Sequence, residues 1–95
     1  MKRRIAKTPT FTNSFRRFTK RNPALRQNIE DTIRKMETDV HAPELGAHKL
    51  KGEFFGLLAC SCGYDCRIVF TIEKHEQNSE EAILLIKVGT HKQVY

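Results

Sequence analysis

Asp65-Cys66-Arg67-Ile68-Val69-Phe70-Thr71-Ile72-Glu73-Lys74 is the stretch on which the fold turns. Successive side chains of an extended chain point to opposite faces. Cys66, Ile68, Phe70 and Ile72 therefore share one face, and Asp65, Arg67, Val69, Thr71 and Glu73 the other. Downstream, His75 to Glu80 is polar and suits a hairpin connection. Ala82 to Val88 follows as an apolar run broken only at Lys87, the pattern of a central strand covered on both faces. Upstream, Phe54 to Cys62 is short, apolar and interrupted by Gly56, with Cys62-Gly63-Tyr64 as turn chemistry. A further short strand is expected near Lys49 to Lys51.

Towards the N-terminus the period lengthens. Leu25, Ile29, Ile33, Met36 and Val40 form an amphipathic helical stripe, with Asn22 as N-cap, Pro23 in the first helical position and His41-Ala42-Pro43 as the end. Phe11, Phe15 and Phe18 recur at helical spacing, with Arg16, Arg17, Lys20 and Arg21 on the other side and Thr12 or Asn13 as cap. These phenylalanines read as core rather than as groups that stack on nucleobases. Arg4 to Thr8, ending before Pro9, is consistent with an edge strand. The order β-α-α-β-β-β predicts an α+β fold, a helical hairpin packed on one face of a mostly antiparallel, twisted sheet. Residues 1–95 suffice for a single domain.

The charge is unevenly placed. Residues 1–29 hold nine Lys or Arg and no acid, whereas residues 30–95 hold eight Lys or Arg against eleven Asp or Glu. So concentrated a positive block points to a polyanionic partner. No stretch approaches the roughly 20 apolar residues of a membrane span. Met1-Lys2-Arg3-Arg4-Ile5-Ala6 is basic but no apolar run follows it, so it does not read as a signal peptide, and a cytoplasmic protein without a membrane partner is expected.

Cys60, Cys62 and Cys66 form a C-x-C-x3-C cluster. An odd count in such a chain argues against a disulfide framework. A zinc site would need a fourth ligand from His48, His75 or His91, in a spacing that matches no common knuckle. Reduced thiols in strands are the expectation, with no metal and no cofactor.

Two histidines stand beside lysines at opposite ends of the strand-rich part, in His48-Lys49-Leu50-Lys51-Gly52 and Gly89-Thr90-His91-Lys92-Gln93-Val94-Tyr95. Imidazole serves as acid or base near neutral pH without a large pKa shift. Lysines beside it would hold RNA or DNA by its phosphates. A small ribonuclease is the reading that uses both. His41 and His75 read as surface residues.

Layout and motifs together resemble the RelE/YafQ superfamily, the ribosome-dependent mRNA interferases of type II toxin–antitoxin pairs. His48-Lys49-Leu50-Lys51-Gly52 is similar to that family's H-x-L-x-G, Tyr64 to Phe70 to its acid-bearing strand, and the tail from Gly89 to its G-T-H-x-x-aromatic. The resemblance implies the compact microbial RNase fold, cleavage of mRNA in the ribosomal A site, and inhibition by a short, acidic, partly disordered antitoxin. Carried over by position, His48, Asp65, His91 and Tyr95 fall on YafQ-type active-site positions. Ala59 and Ser61 stand where YafQ-like toxins carry an Asp and a His, while Arg67 resembles the arginine of RelE-like members.

On this reading His91 is the acid, or exchanges roles with His48 as base. Lys51 and Arg67 supply positive charge to the phosphate. Asp65 orients Arg67 or a histidine, or forms a structural ion pair with Arg67. Tyr95 stacks on a base or supports His91. Arg16, Arg17, Lys20 and Arg21, with Lys49 and Lys51, grip RNA phosphates. Two other functions stay open: a non-enzymatic ParE-type gyrase inhibitor, and a degenerate protein that keeps only the antitoxin interaction.

Overall fold

In the computed structural model, which describes residues 3–74, 77 and 80–95, the chain runs β1 (Arg4–Lys7), α1 (Pro9–Thr19), α2 (Pro23–Thr38), β2 (His48–Lys49), β3 (Leu58–Gly63), β4 (Cys66–Lys74), β5 (Glu81–Gly89) and α3 (His91–Val94). Two prolines set where the long helices begin. Each occupies the first turn, where its fixed φ already suits a helix and its missing N–H would have had no intrahelical partner. Asn22 caps α2 as expected, its side chain accepting the Leu25 N–H at 3.1 Å. The cap of α1 is Thr8, which accepts the Phe11 N–H at 3.1 Å, and not Thr12 or Asn13. Pro9 both ends the strand and opens the helix.

The described residues form a five-stranded sheet in the order β1-β5-β4-β3-β2. β1 is a parallel edge strand on β5, and every other pair is antiparallel. The short strand expected near Lys49 to Lys51 is β2, at the opposite edge. α1 packs on β5 and α2 on β3, both on one sheet face. Between helices and sheet lies a core built on Phe11, Ile29, Met36, Ile68, Phe70 and Leu85, all fully buried. Phe15 and Phe18 pack against its margin half-buried. Burying one such large side chain contributes about 1.5–3 kcal/mol.

β5 departs from the expected strand buried on both faces. Ile83, Leu85 and Val88 enter the core, but Leu84, Ile86 and Lys87 stay half-buried. The strand is central in its pairing, yet no helix as long as α1 or α2 covers its other face. Phe70 pairs with Leu85 and Val69 with Lys87, so Ile86 is an extra residue in a bulge. That bulge lets Leu85 and Val88, three apart, face the same way. The polar β4–β5 connection expected from His75 to Glu80, with His75 itself, falls largely outside the described residues. The strands flanking it do pair as a hairpin, Lys74 opposite Glu81.

The expectation of three reduced thiols is corrected. Cys62 and Cys66 are joined by a disulfide, their Cα atoms 5.0 Å apart, and Cys60 is free and buried. Ser61 pairs with Arg67 and Gly63 with Cys66, so Cys62 is the extra residue of a register shift beside the turn. By strand alternation its side chain shares the helix-facing side with Cys60, where Cys66 also points. A disulfide also removes two of the thiolates that a zinc site would have used.

Candidate active site

α3 is short, so its position depends on what holds its first turn. Thr90 and Gln93 form a capping box: Thr90 Oγ1 accepts the Gln93 N–H at 3.2 Å, and Gln93 Oε1 accepts the Thr90 N–H at 2.9 Å. The T-x-x-Q spacing is a sequence signal for this, overlooked when the tail is read only for its histidine. Asp65, in the β3–β4 turn, adds a third constraint by accepting the His91 backbone N–H at 3.0 Å on Oδ1. Its φ of 48° is left-handed, a conformation that Asp adopts more readily than most residues. Gly89 completes the arrangement. A Cβ there would lie 2.8 Å from Gln93 Oε1 and 3.1 Å from Gln93 Cβ, so a larger residue would push the Gln93 side chain out of its cap.

His48, Tyr95 and His91 come together on the sheet face away from the helices. His48 pairs with Ala59 and Ala59 with Val69, whereas their strand neighbours Cys60 and Ile68 point into the core. The His91 ring stands edge-on to Tyr95, centroids 4.4 Å apart, and the His48 ring approaches the same phenol at 6.5 Å. One aromatic ring is therefore flanked by two imidazoles that lie 43 positions apart in the chain. Tyr95 Oη is buried with no hydrogen-bond partner among the described residues. Burial raises its pKa, with Arg67 pulling the other way, so the phenol stays protonated at neutral pH.

His48 Nδ1 lies 3.1 Å from the Gly46 carbonyl oxygen. A carbonyl only accepts, so this bond requires the hydrogen on Nδ1. In the neutral ring that leaves Nε2 as an acceptor. Gly46 is left-handed, with φ at 59°, and its carbonyl fixes the tautomer of His48. No sequence motif announces a backbone group in this role.

The remaining expected residues divide. Arg67 is on the same face, opposite Gly89, and donates from Nη1 to the carbonyls of Cys66 at 2.8 Å and Gly63 at 3.3 Å. It makes no ion pair with Asp65 among the described residues. The expected pairing or orienting contact is thus replaced by a backbone cap, because Asp65 belongs to the turn and not to β4. Asp65 touches His91 through the main chain rather than the ring. Lys51 lies in the loop between β2 and β3, and Lys49 points by alternation to the face opposite His48. Arg16, Arg17, Lys20 and Arg21 are exposed on α1 and the turn after it, with the sheet between them and the imidazoles. The structure does not bring these four to the histidines.

No family model and no curated protein sequence matches the chain. Solved structures do. YafQ from E. coli strain BL21(DE3) superposes with a TM-score of 0.78 at 12% identity over 98% of each chain. The YoeB/ParE toxin from Agrobacterium tumefaciens gives 0.72 at 19% identity, covering 93% of this chain and 98% of its own. YafQ within the E. coli DinJ–YafQ toxin–antitoxin complex gives 0.76 at 12% identity, over 100% of this chain and 99% of its own. The α+β architecture read from the sequence is the fold these toxins share.

Proposed function

We propose that a chain with this toxin fold is itself the toxin of a type II toxin–antitoxin pair, a cytoplasmic endoribonuclease that cuts mRNA on the ribosome and is held inactive by a cognate acidic antitoxin. The observation that carries the reading is the pair of imidazoles flanking Tyr95, one of them held in the tautomer of a base. A DinJ–YafQ complex on the same fold supports the antitoxin partner.

The chemistry follows from positions. His48 Nε2 takes the proton of the ribose 2′-hydroxyl, and the 2′-oxygen forms a bond to phosphorus. The bond to the 5′-oxygen breaks, and His91 protonates that departing oxygen. The products are a 2′,3′-cyclic phosphate and a 5′-hydroxyl end, and the two histidines have exchanged protonation states. Arg67 supplies positive charge to the crowded phosphorane. Tyr95 separates the imidazoles and, as a protonated phenol, takes no base role. Asp65 acts as a positioning residue through the first turn of α3. No step in this scheme calls for a cofactor.

Each acid–base group contributes about 10²–10⁴-fold. His91→Ala should therefore lower cleavage by that order while leaving the unfolding temperature unchanged. Mapping transcript ends after brief expression checks it. Codon-phased cuts by the wild type that disappear in the variant support the reading. Equal cutting by both removes the role of His91. DNA damage without RNA ends indicates gyrase inhibition, and neither effect indicates a protein reduced to antitoxin binding.

A further inference from the structure

β1 stops at Lys7 because Thr8 and Pro9 open α1, so β5 has a strand neighbour on that side only from Ala82 to Leu85. Its last residues run beside α1 instead, and side chains take over the unpaired edge. Thr8 Oγ1 donates to the Leu85 carbonyl at 2.9 Å, and Ser14 Oγ accepts the Val88 N–H at 3.1 Å. α3 closes a third side. The result is a cleft of about 360 Å³ lined by Ser14, Arg17, Phe18, Lys87, Val88 and Gln93.

Its electrostatics are one-sided. Arg17 and Lys87 both line it, no carboxylate does among the described residues, and neither cation makes an ion pair there. Two cations sharing one cleft without a counter-ion repel each other, and an anion between them relieves both. Arg17 presents a planar fork suited to two phosphate oxygens, and Lys87 a point charge. Gln93 adds a neutral donor: its Oε1 is engaged by the Thr90 N–H, which leaves its NH₂ group free. Half-buried Phe18 offers apolar surface for a ribose.

We propose that this cleft holds a backbone phosphate of RNA, away from the bond that is cut. The choice of RNA as the polyanion rests on the function proposed above. Gln93 touches both the cleft and the cap of α3, so occupying the cleft steadies the helix that carries His91.

Arg17→Gln and Lys87→Gln test the proposal by salt titration of binding to two probes, a short single-stranded RNA and purified small ribosomal subunits, with thermal unfolding as the control for fold. On the single strand, each variant should make the slope of log K against log salt shallower by about 0.7, the loss of one phosphate contact. A change confined to the ribosomal subunits still supports the cleft and assigns the phosphate to structured RNA. Folded variants with unaltered slopes on both probes overturn it. Changed slopes in a protein that cuts no mRNA keep the cleft and remove the proposed enzyme. Unchanged slopes in a protein that cuts do the reverse.

Discussion

The two faces of the sheet are built from the same strands but do different work. On the helix side Phe11, Ile29, Met36, Ile68, Phe70 and Leu85 are buried together, and the buried hydroxyls of Ser14, Thr19 and Thr32 each donate to a carbonyl of their own helix. On the other side a helix of four residues, His91–Val94, carries one imidazole towards a second at the sheet edge. The first face depends on buried area, which tolerates any apolar shape of suitable volume. The second depends on a few directed contacts: Asp65 to the His91 N–H, the Thr90–Gln93 box, and the Gly46 carbonyl to His48. Stability and chemistry are thereby separable by mutation.

The largest separation should come from Phe70→Ala. Removing a fully buried phenylalanine costs about 3–5 kcal/mol, against a total of about 5–14 kcal/mol for a chain of this length. Denaturant unfolding should show that loss. Activity, measured at a temperature where the variant remains folded, should survive. Loss of activity in the folded variant would mean that the two faces are coupled.

The Cys62–Cys66 bridge lies between the faces, its sulfurs in the core and its turn carrying Asp65. It closes a loop so short that its removal costs about 2 kcal/mol in the chain-entropy account. Reduction should lower the unfolding temperature by roughly 8–16 °C, at 4–8 °C per kcal/mol for a domain of this size. It should leave cleavage in place as long as the Asp65 cap persists. Cleavage that vanishes on reduction in a still-folded protein would show that the turn controls α3.

Gly89→Ala should act in the opposite sense, with a smaller effect on unfolding and a large effect locally. The new methyl meets Gln93 Oε1 and Cβ. Losing a cap of this kind costs about 1 kcal/mol. Hydrogen exchange should rise across Thr90 to Tyr95, with a drop in cleavage. Protection retained over that segment would contradict the account of why glycine stands there.

The smallest effect concerns Cys60, silent at neutral pH. Burial pushes its thiol up from 9.0 to about 12, with Arg67 opposing. A raised native pKa contributes stability that is complete below the unfolded pKa and lost as pH climbs through the native one. Unfolding temperatures should therefore fall between about pH 9 and pH 12, and Cys60→Ala should flatten that fall. Equal alkaline sensitivity in both proteins would place the titrating group elsewhere.

Sequence periodicity carried the buried face well, because burial obeys a repeat: the stripe from Leu25 to Val40 and the alternation from Cys66 to Ile72 both point where the core is. It misjudged β5, since an apolar run does not tell which face will lack a helix. It missed the disulfide because an odd cysteine count does not tell that two of the three share one sheet face across a turn. On the open face, residue types were legible at His48, Arg67, His91 and Tyr95, but their partners were not. Asp65 caps a backbone N–H and Gly46 offers a carbonyl, contacts fixed by left-handed turn geometry rather than by side-chain pattern. The charge of the basic helix residues suggests one RNA grip, yet the sheet separates them from the imidazoles. Only Arg17 approaches the tail, through the cleft it shares with Gln93.

The central claim is that His48 takes up a proton from the attacking 2′-hydroxyl while His91 gives one to the departing 5′-oxygen. Single-turnover cleavage of a ribosome-bound message, followed against pH, tests it most directly. The wild type should give a bell with two limbs. His48→Ala should lose the limb set by the base, and His91→Ala the limb set by the acid, each at a rate lowered by about 10²–10⁴-fold. A bell that keeps both limbs and its height in either variant would contradict the account.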